Sequence, residues 1–249
     1  MRRVFSLAII PSMSFDWAST QFIAVIAVAI ILAVYWISSF RRAQQSEARE
    51  PQRIFADVMP LLADATVAAG DASGVYKLDG IYRDRFFQFK VIVDSMTARK
   101  LPGLWLMVTR PAPQPVVQVI DLMARATAPT AFSNFDLLTH QVPSPSGFPP
   151  QVSARSDQPA GLIPWQSLEK QAPLFRDETT KELLVDPKGL RFVVLLAEAN
   201  RARYGVFRQA DFGAPVVSES LAQQLLDALI QLEDDVRAEI SNGKAHANI

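Results

Sequence analysis

The chain has 249 residues, 49% of them hydrophobic and 20% charged, with 25 basic side chains against 25 acidic ones. That length holds one or two domains, and the absence of a basic patch or stripe removes the electrostatic footprint that nucleic-acid binding needs. No cysteine is present, which excludes disulfides, thiolate zinc sites, iron–sulfur clusters and cysteine nucleophiles.

The balanced charge is unevenly placed. Residues 1–42 carry Arg2, Arg3, Arg41 and Arg42 against Asp16, a net +3, so the remainder is −3. Between these arginines, Trp17 to Phe40 runs 24 residues without Asp, Glu, Lys or Arg, and Phe22 to Val34 is wholly apolar. As a helix the segment is about 36 Å long, enough for a hydrocarbon core of about 30 Å. Trp17 at one end and Tyr35 and Trp36 near the other suit the headgroup level, and Arg41 and Arg42 stop the span. A buried core helix seldom stays uncharged for so long. A cleaved signal peptide has Met1-Arg2-Arg3 and Val4 to Ile10 in its favour, but Pro11 ends that run and no clear small-residue cleavage site follows the longer stretch. We therefore expect a single-pass anchor in the lipid bilayer through residues 17–40, with a short N-terminal segment, 1–16, before it. Arg41, Arg42, Arg49 and Arg53 outnumber Arg2 and Arg3, which places the C-terminal domain in the cytoplasm. A start at Met13 strengthens that contrast. One span with no ionisable residue offers no path for ions or protons, so it is an anchor and not a conduit.

Residues 41–53 read as a juxtamembrane linker, and 54–243 as one soluble domain. Pro51 can open a helix, and Ile54, Val58, Leu61, Leu62, Ala65 and Ala69 recur at helical spacing, with Pro60 kinking or breaking it. Gly70 and Gly74 bracket a turn. Tyr76, Leu78 and Tyr82 alternate with polar residues, and Phe87, Phe89, Val91 and Val93 resume the alternation after Arg83-Asp84-Arg85, an antiparallel hairpin. Leu104 to Thr109 and Val116 to Leu122 predict two more strands, separated by Pro111, Pro113 and Pro115, which belong in a loop or on an edge. Residues 129–173, rich in proline, predict a covering segment with short strands.

Asp177 reads as the N-cap of a short helix through Val185. Asp186-Pro187-Lys188-Gly189 is a β-turn sequence. Leu190 to Ala197 is a strand covered on both faces, with Tyr204 to Gln209 as its hairpin partner. Pro215 and Ser218 introduce a final helix to about Ser241, with Leu221, Leu225, Leu229, Leu232, Val236 and Ile240 as its apolar stripe. Asn242-Gly243 stops it, and 244–249 is a frayed tail. The fold class is α+β: an antiparallel sheet of about five to seven strands, flanked by a juxtamembrane helix and a C-terminal helix.

Chemistry is sparse. His140, near Asp136, has no Gly-x-Ser-x-Gly elbow to accompany it, and His246 lies in the tail. Gly70 to Lys77 lacks the contiguous Gly-Lys-Ser/Thr of a phosphate loop. Asp234 and Asp235 diverge by about 100° on their helix and cannot share a site. With Glu219, Asp227, Glu233 and Glu239 they make an acidic face, read as solvated, though able to meet a basic partner. Arg83, Arg85, Arg99, Lys100 and Arg110 read as scattered solubilising charges, with anionic headgroups as the rival contact. No motif predicts a catalytic residue, cofactor or metal site. The expected role is binding or scaffolding of a protein partner at the membrane. A hydrolase-like enzyme using carboxylates or His140 is the alternative.

Overall fold

The computed structural model describes residues 52–68, 76–94, 101–127, 129–159, 163–207 and 210–247. The chain divides into two units, 1–47 and 48–249, and all described residues belong to the second. The expected span at 17–40 and its anchor residues Trp17, Tyr35, Trp36, Arg41 and Arg42 lie outside them. No helix among the described residues is long and apolar enough to cross a membrane.

The described residues form an α+β arrangement around one nine-stranded sheet. Its strands are β1 (Ala63–Ala68), β2 (Tyr76–Tyr82), β3 (Arg85–Asp94), β4 (Gly103–Arg110), β5 (Ile120–Ala124), β6 (His140–Val142), β7 (Val152–Ser156), β8 (Thr180–Asp186) and β9 (Gly189–Glu198). Their order is β1-β2-β3-β4-β9-β8-β5-β7-β6, with every neighbouring pair antiparallel. The helices are α1 (Trp165–Glu169), α2 (Arg201–Phe207) and α3 (Glu219–Ala247). Period-two alternation sends Leu78, Phe87, Phe89, Leu106, Val108, Leu122, Leu183 and Phe192 into one main core, where α3 lays down Leu225, Leu229, Leu232, Val236 and Ile240. A smaller cluster of Ile92, Met107, Met123, Phe132, Phe135 and Val193 forms a second core, with Trp105 and Ala126 packed against it.

The expected β2–β3 hairpin is present, with Tyr82 opposite Arg85. Its turn residues Arg83 and Asp84 have φ of 46° and 61°, the pattern of a type I′ turn whose twist matches the strands. Neither is glycine, so the turn carries left-handed backbone cost. Asp84→Gly is expected to raise stability by about 0.5–1 kcal/mol, a part of that cost, read as a higher thermal midpoint of the full chain in detergent. An unchanged or lower midpoint contradicts it.

Several expected elements differ. The helix over 51–69 is a single turn, 52–54, followed by a 3-10 helix at Met59–Leu61 and then β1. Pro60 sits at the start of that 3-10 helix, Leu62 is extended and Asp64 is left-handed, which stops helical continuation. The juxtamembrane helix of the expected architecture is therefore absent from residues 55–68. The strand expected at Val116 to Leu122 runs instead over Ile120–Ala124. Residues before it satisfy their backbone elsewhere, Gln114 N–H donating to the Pro187 carbonyl and Val119 N–H to Asp157.

Asp177 does not open a helix. It follows a 3-10 helix, Ala172–Arg176, and its carboxylate accepts from the Thr179 N–H and hydroxyl, leaving Thr180 to Asp186 to enter the sheet as β8. The expected turn at Asp186 to Gly189 is present but joins two strands, β8 and β9, with Asp186 opposite Gly189 and accepting from the Lys188 N–H. Of the hairpin partner expected at Tyr204 to Gln209, the described residues 204–207 supply no strand: β9 already has β4 and β8 on its two edges. Residues 201–207 form α2 instead, with the Asn200 side chain accepting from the Arg203 N–H. Ser218 caps α3 through the Leu221 N–H. That helix runs past Asn242-Gly243 to Ala247, into the tail expected to fray.

Candidate functional site

The second face of the sheet carries two linked features. The first is a cavity of about 400 Å³ where β3 ends, β4 and β8 begin and β9 ends. Trp105 floors it. Its indole lies over Gly103, where a Cβ would stand 2.7 Å from the ring nitrogen, and it packs against Phe132 with ring centroids 4.9 Å apart. Thr127 and Thr130 close one side, and Asp94, Glu178 and Glu198 bring carboxylates to the walls. Two cations are held by backbone carbonyls there: Lys181 Nζ donates to Ala124 and Arg125 at 2.6 and 2.9 Å, and Arg125 donates to Glu178 at 2.5 Å. An aromatic floor with a few converging polar groups is the usual make-up of a ligand or partner pocket of this size.

The second feature lies beneath the segment that closes the cavity. Asp121 of β5 and Glu182 of β8 are 1% and 0% exposed. The Ser133 hydroxyl faces both carboxylates as a donor, at 2.5 Å to Glu182 and 3.3 Å to Asp121 Oδ2, so its single proton serves the two between them. Arg191 of β9 donates to Glu182 at 3.3 Å. Burial pushes the Asp121 carboxyl well above the usual carboxylate range. The charge and hydrogen bond of Glu182 add to this, while Arg191 and Ser133 offset part of it. Asp121 and Glu182 thus form a buried acidic pair joined through Ser133.

The acidic face of α3 is solvated only in part: Glu219 and Asp234 are exposed, but Glu233 is buried. Glu233, 1% exposed, accepts from Arg85 and Arg110 at 2.9 Å each and from Arg237 at 2.7 Å. Burial alone raises its carboxyl, but the Arg110 hydrogen bond and charge, then the charges of Arg237 and Arg85, hold it below the usual range. Asp234 receives Arg85, Asp235 receives Lys170 and Asp227 receives Arg83. Asp234 and Asp235 thus diverge to different partners, as their spacing predicted. Glu239 accepts from the Gln166 and Ser167 backbone N–H groups and from the Ser167 hydroxyl, capping α1, which has no side-chain cap of its own. The basic partner of this face is the domain's own sheet and α1. Arg83, Arg85 and Arg110, read as scattered solubilising charges, are its counterparts; Arg99 and Lys100 lie outside the described residues.

His140 opens β6 at the outer edge of the sheet, opposite Ser156, away from the cavity lining. Lys77 of the rejected phosphate-loop resemblance lies within β2, and Gly70 to Val75 fall outside the described residues. No group of three or more His, Asp or Glu suited to a metal occurs among the described residues. Trp105, Asp121, Ser133, Glu182 and Glu233 were not singled out from the sequence as site residues. A signal existed for three of them, since Asp121 interrupts an apolar strand, Glu182 directly precedes an apolar pair, and Glu233 sits between Leu229 and Val236 on the buried stripe.

No family model matches the sequence, and no curated protein matches it. Among solved structures, the chain is similar to the crystal structure of the mycobacterial trehalose monomycolate transport factor A, TtfA. The TM-score is 0.33 and the identity 10%, over 72% of this chain and 78% of that one. A likeness of that size bears on neither fold nor function.

Proposed function

We propose that the chain is a single-pass membrane protein whose domain from residue 52 onward binds a protein partner beside the bilayer, on the cytoplasmic side. The observation that carries the binding reading is the Trp105 cavity. Its volume of about 400 Å³ suits one or two side chains of a partner, and aromatic residues in desolvated pockets with polar rims are where interface energy concentrates. The anchor reading rests on the uncharged run from Trp17 to Phe40, its end aromatics and Arg41 and Arg42.

The test is capture of the full chain from solubilised membranes with the partner quantified. Trp105→Ala is expected to weaken partner binding about tenfold or more while the domain stays folded. Partner recovery unchanged by that substitution contradicts the reading. A reporter fused at the C-terminus checks the topology, with activity expected on the cytoplasmic side.

The hydrolase-like alternative has one feature in its favour, the raised carboxyl of buried Asp121, since perturbed carboxyls gather at catalytic sites. Against it, Asp121 and Glu182 are closed off beneath Ser133 and present no surface to a substrate.

A further inference from the structure

We propose that the chain Asp121–Ser133–Glu182 is a proton latch: protonated Asp121 holds residues 129–138 on the second face of the sheet, and loss of the proton releases them and removes one wall of the Trp105 cavity. Ser133 is the joint. Its hydroxyl donates to Glu182, it lies within reach of Asp121, and its oxygen also accepts from the Phe135 N–H at 3.0 Å, which ties the 3-10 helix Phe135–Leu137 to the carboxylates. The same segment brings Phe132 onto Trp105 and Thr130 into the cavity wall.

The charges around the pair come from three strands and the segment itself. Arg191 of β9 is bonded to Glu182. Lys181 of β8 is bonded to the Ala124 and Arg125 carbonyls. Arg155 of β7, opposite Asp121 in register, lies over the Phe135 ring, its guanidinium 3.5 Å from the Phe135 and Asp136 carbonyl oxygens. Asp136 on the segment is exposed. One bonded guanidinium thus balances one carboxylate of the pair. Asp121 Oδ1 is buried and accepts no hydrogen bond among the described residues. Ionised, the pair sets two buried negative charges against one bonded guanidinium and one serine proton that cannot serve both, so ionisation of Asp121 drives the carboxylates apart and strains the hydrogen bonds through Ser133.

The link from latch to partner rests on the binding reading above; the latch itself does not. Hydrogen exchange of the full chain in detergent, corrected for intrinsic rates, reads it directly. Protection of residues 129–138 is expected to fall about tenfold or more between about pH 5 and about pH 9, while β8 and β9 keep theirs. Asp121→Asn keeps a neutral donor and is expected to hold the segment protected at both pH values. Ser133→Ala is expected to leave it exposed at both. Equal protection of the wild type at the two pH values overturns the proposal, as does an Asp121→Asn chain that still shows the fall. If exchange follows the latch but partner capture ignores Trp105→Ala, the binding reading fails and the latch stands.

Discussion

Glu233→Ala is expected to destabilise the domain by about 3 kcal/mol, the lower end of what removing one partner of a buried ion pair costs. The lower end applies because the two arginines left behind keep some solvent: the Arg85 and Arg110 side chains are 26% and 15% exposed. Arg237, at i+4 and half exposed, adds little. Glu233 sits on the apolar stripe of α3, so its loss also opens space between that helix and the start of β3 and end of β4. Glu233→Gln keeps an acceptor and is expected to fall between alanine and wild type. Urea unfolding of the three chains measures the series. A loss under about 1 kcal/mol for alanine would place these contacts with ordinary surface pairs. The sign with pH is set by the lowered Glu233 carboxyl. Its contribution is present above the unfolded value of about 4.3 and is lost as pH falls through the folded one. Asp121 acts in the opposite sense, because its raised value stabilises the fold below about 3.9 and that contribution is lost as pH rises through the folded value. Wild-type stability is therefore expected to fall on both the acid and the alkaline side, with Glu233→Gln losing the acid limb and Asp121→Asn the alkaline one.

Gly189→Ala is expected to cost about 2–3 kcal/mol, at the upper part of the range for overpacking. Its Cβ would lie 2.5 Å from the Arg110 carbonyl oxygen and 3.2 Å from the Pro111 Cα. Both are backbone atoms, so no side chain can turn away; the start of β9 must move off β4. Arg110 is also one of the arginines on Glu233, so the two substitutions share a partner. The double variant is expected to lose less than the sum of the singles. The same denaturation series checks this, and strict additivity contradicts the shared strain. At Gly103 the neighbour is the Trp105 indole, which can shift, so alanine there disturbs the cavity floor more than the fold.

Much of the fold was legible because it is local. The β2–β3 hairpin, the Pro187-Lys188 turn, strand β9 and the stripe of α3 are written in alternation, turn chemistry and helical spacing. What was misread is set by the sheet's long-range order. Thr180–Asp186 becomes a strand because β9 offers one edge and β5 the other. Residues 201–207 become helical because no edge of β9 remains. Helical spacing over 54–69 was real in sequence but lost to a proline and a left-handed Asp64. The candidate site was least legible, since its parts come from β4, β5, β8, β9 and the segment near Ser133. Single acidic residues inside apolar runs were its trace, and the acidic face of α3 was read as solvated because its partners are remote in sequence, Arg85 lying 148 residues from Glu233.

The most direct test of partner binding at the Trp105 cavity is site-specific photo-crosslinking in intact membranes, with the photoreactive residue placed at Glu198 on the cavity wall. A single discrete adduct is expected, abolished by Trp105→Ala and absent when the probe is moved to the exposed Val206 of α2. Equal adducts from both positions, or an adduct at Glu198 that survives Trp105→Ala, would contradict the account.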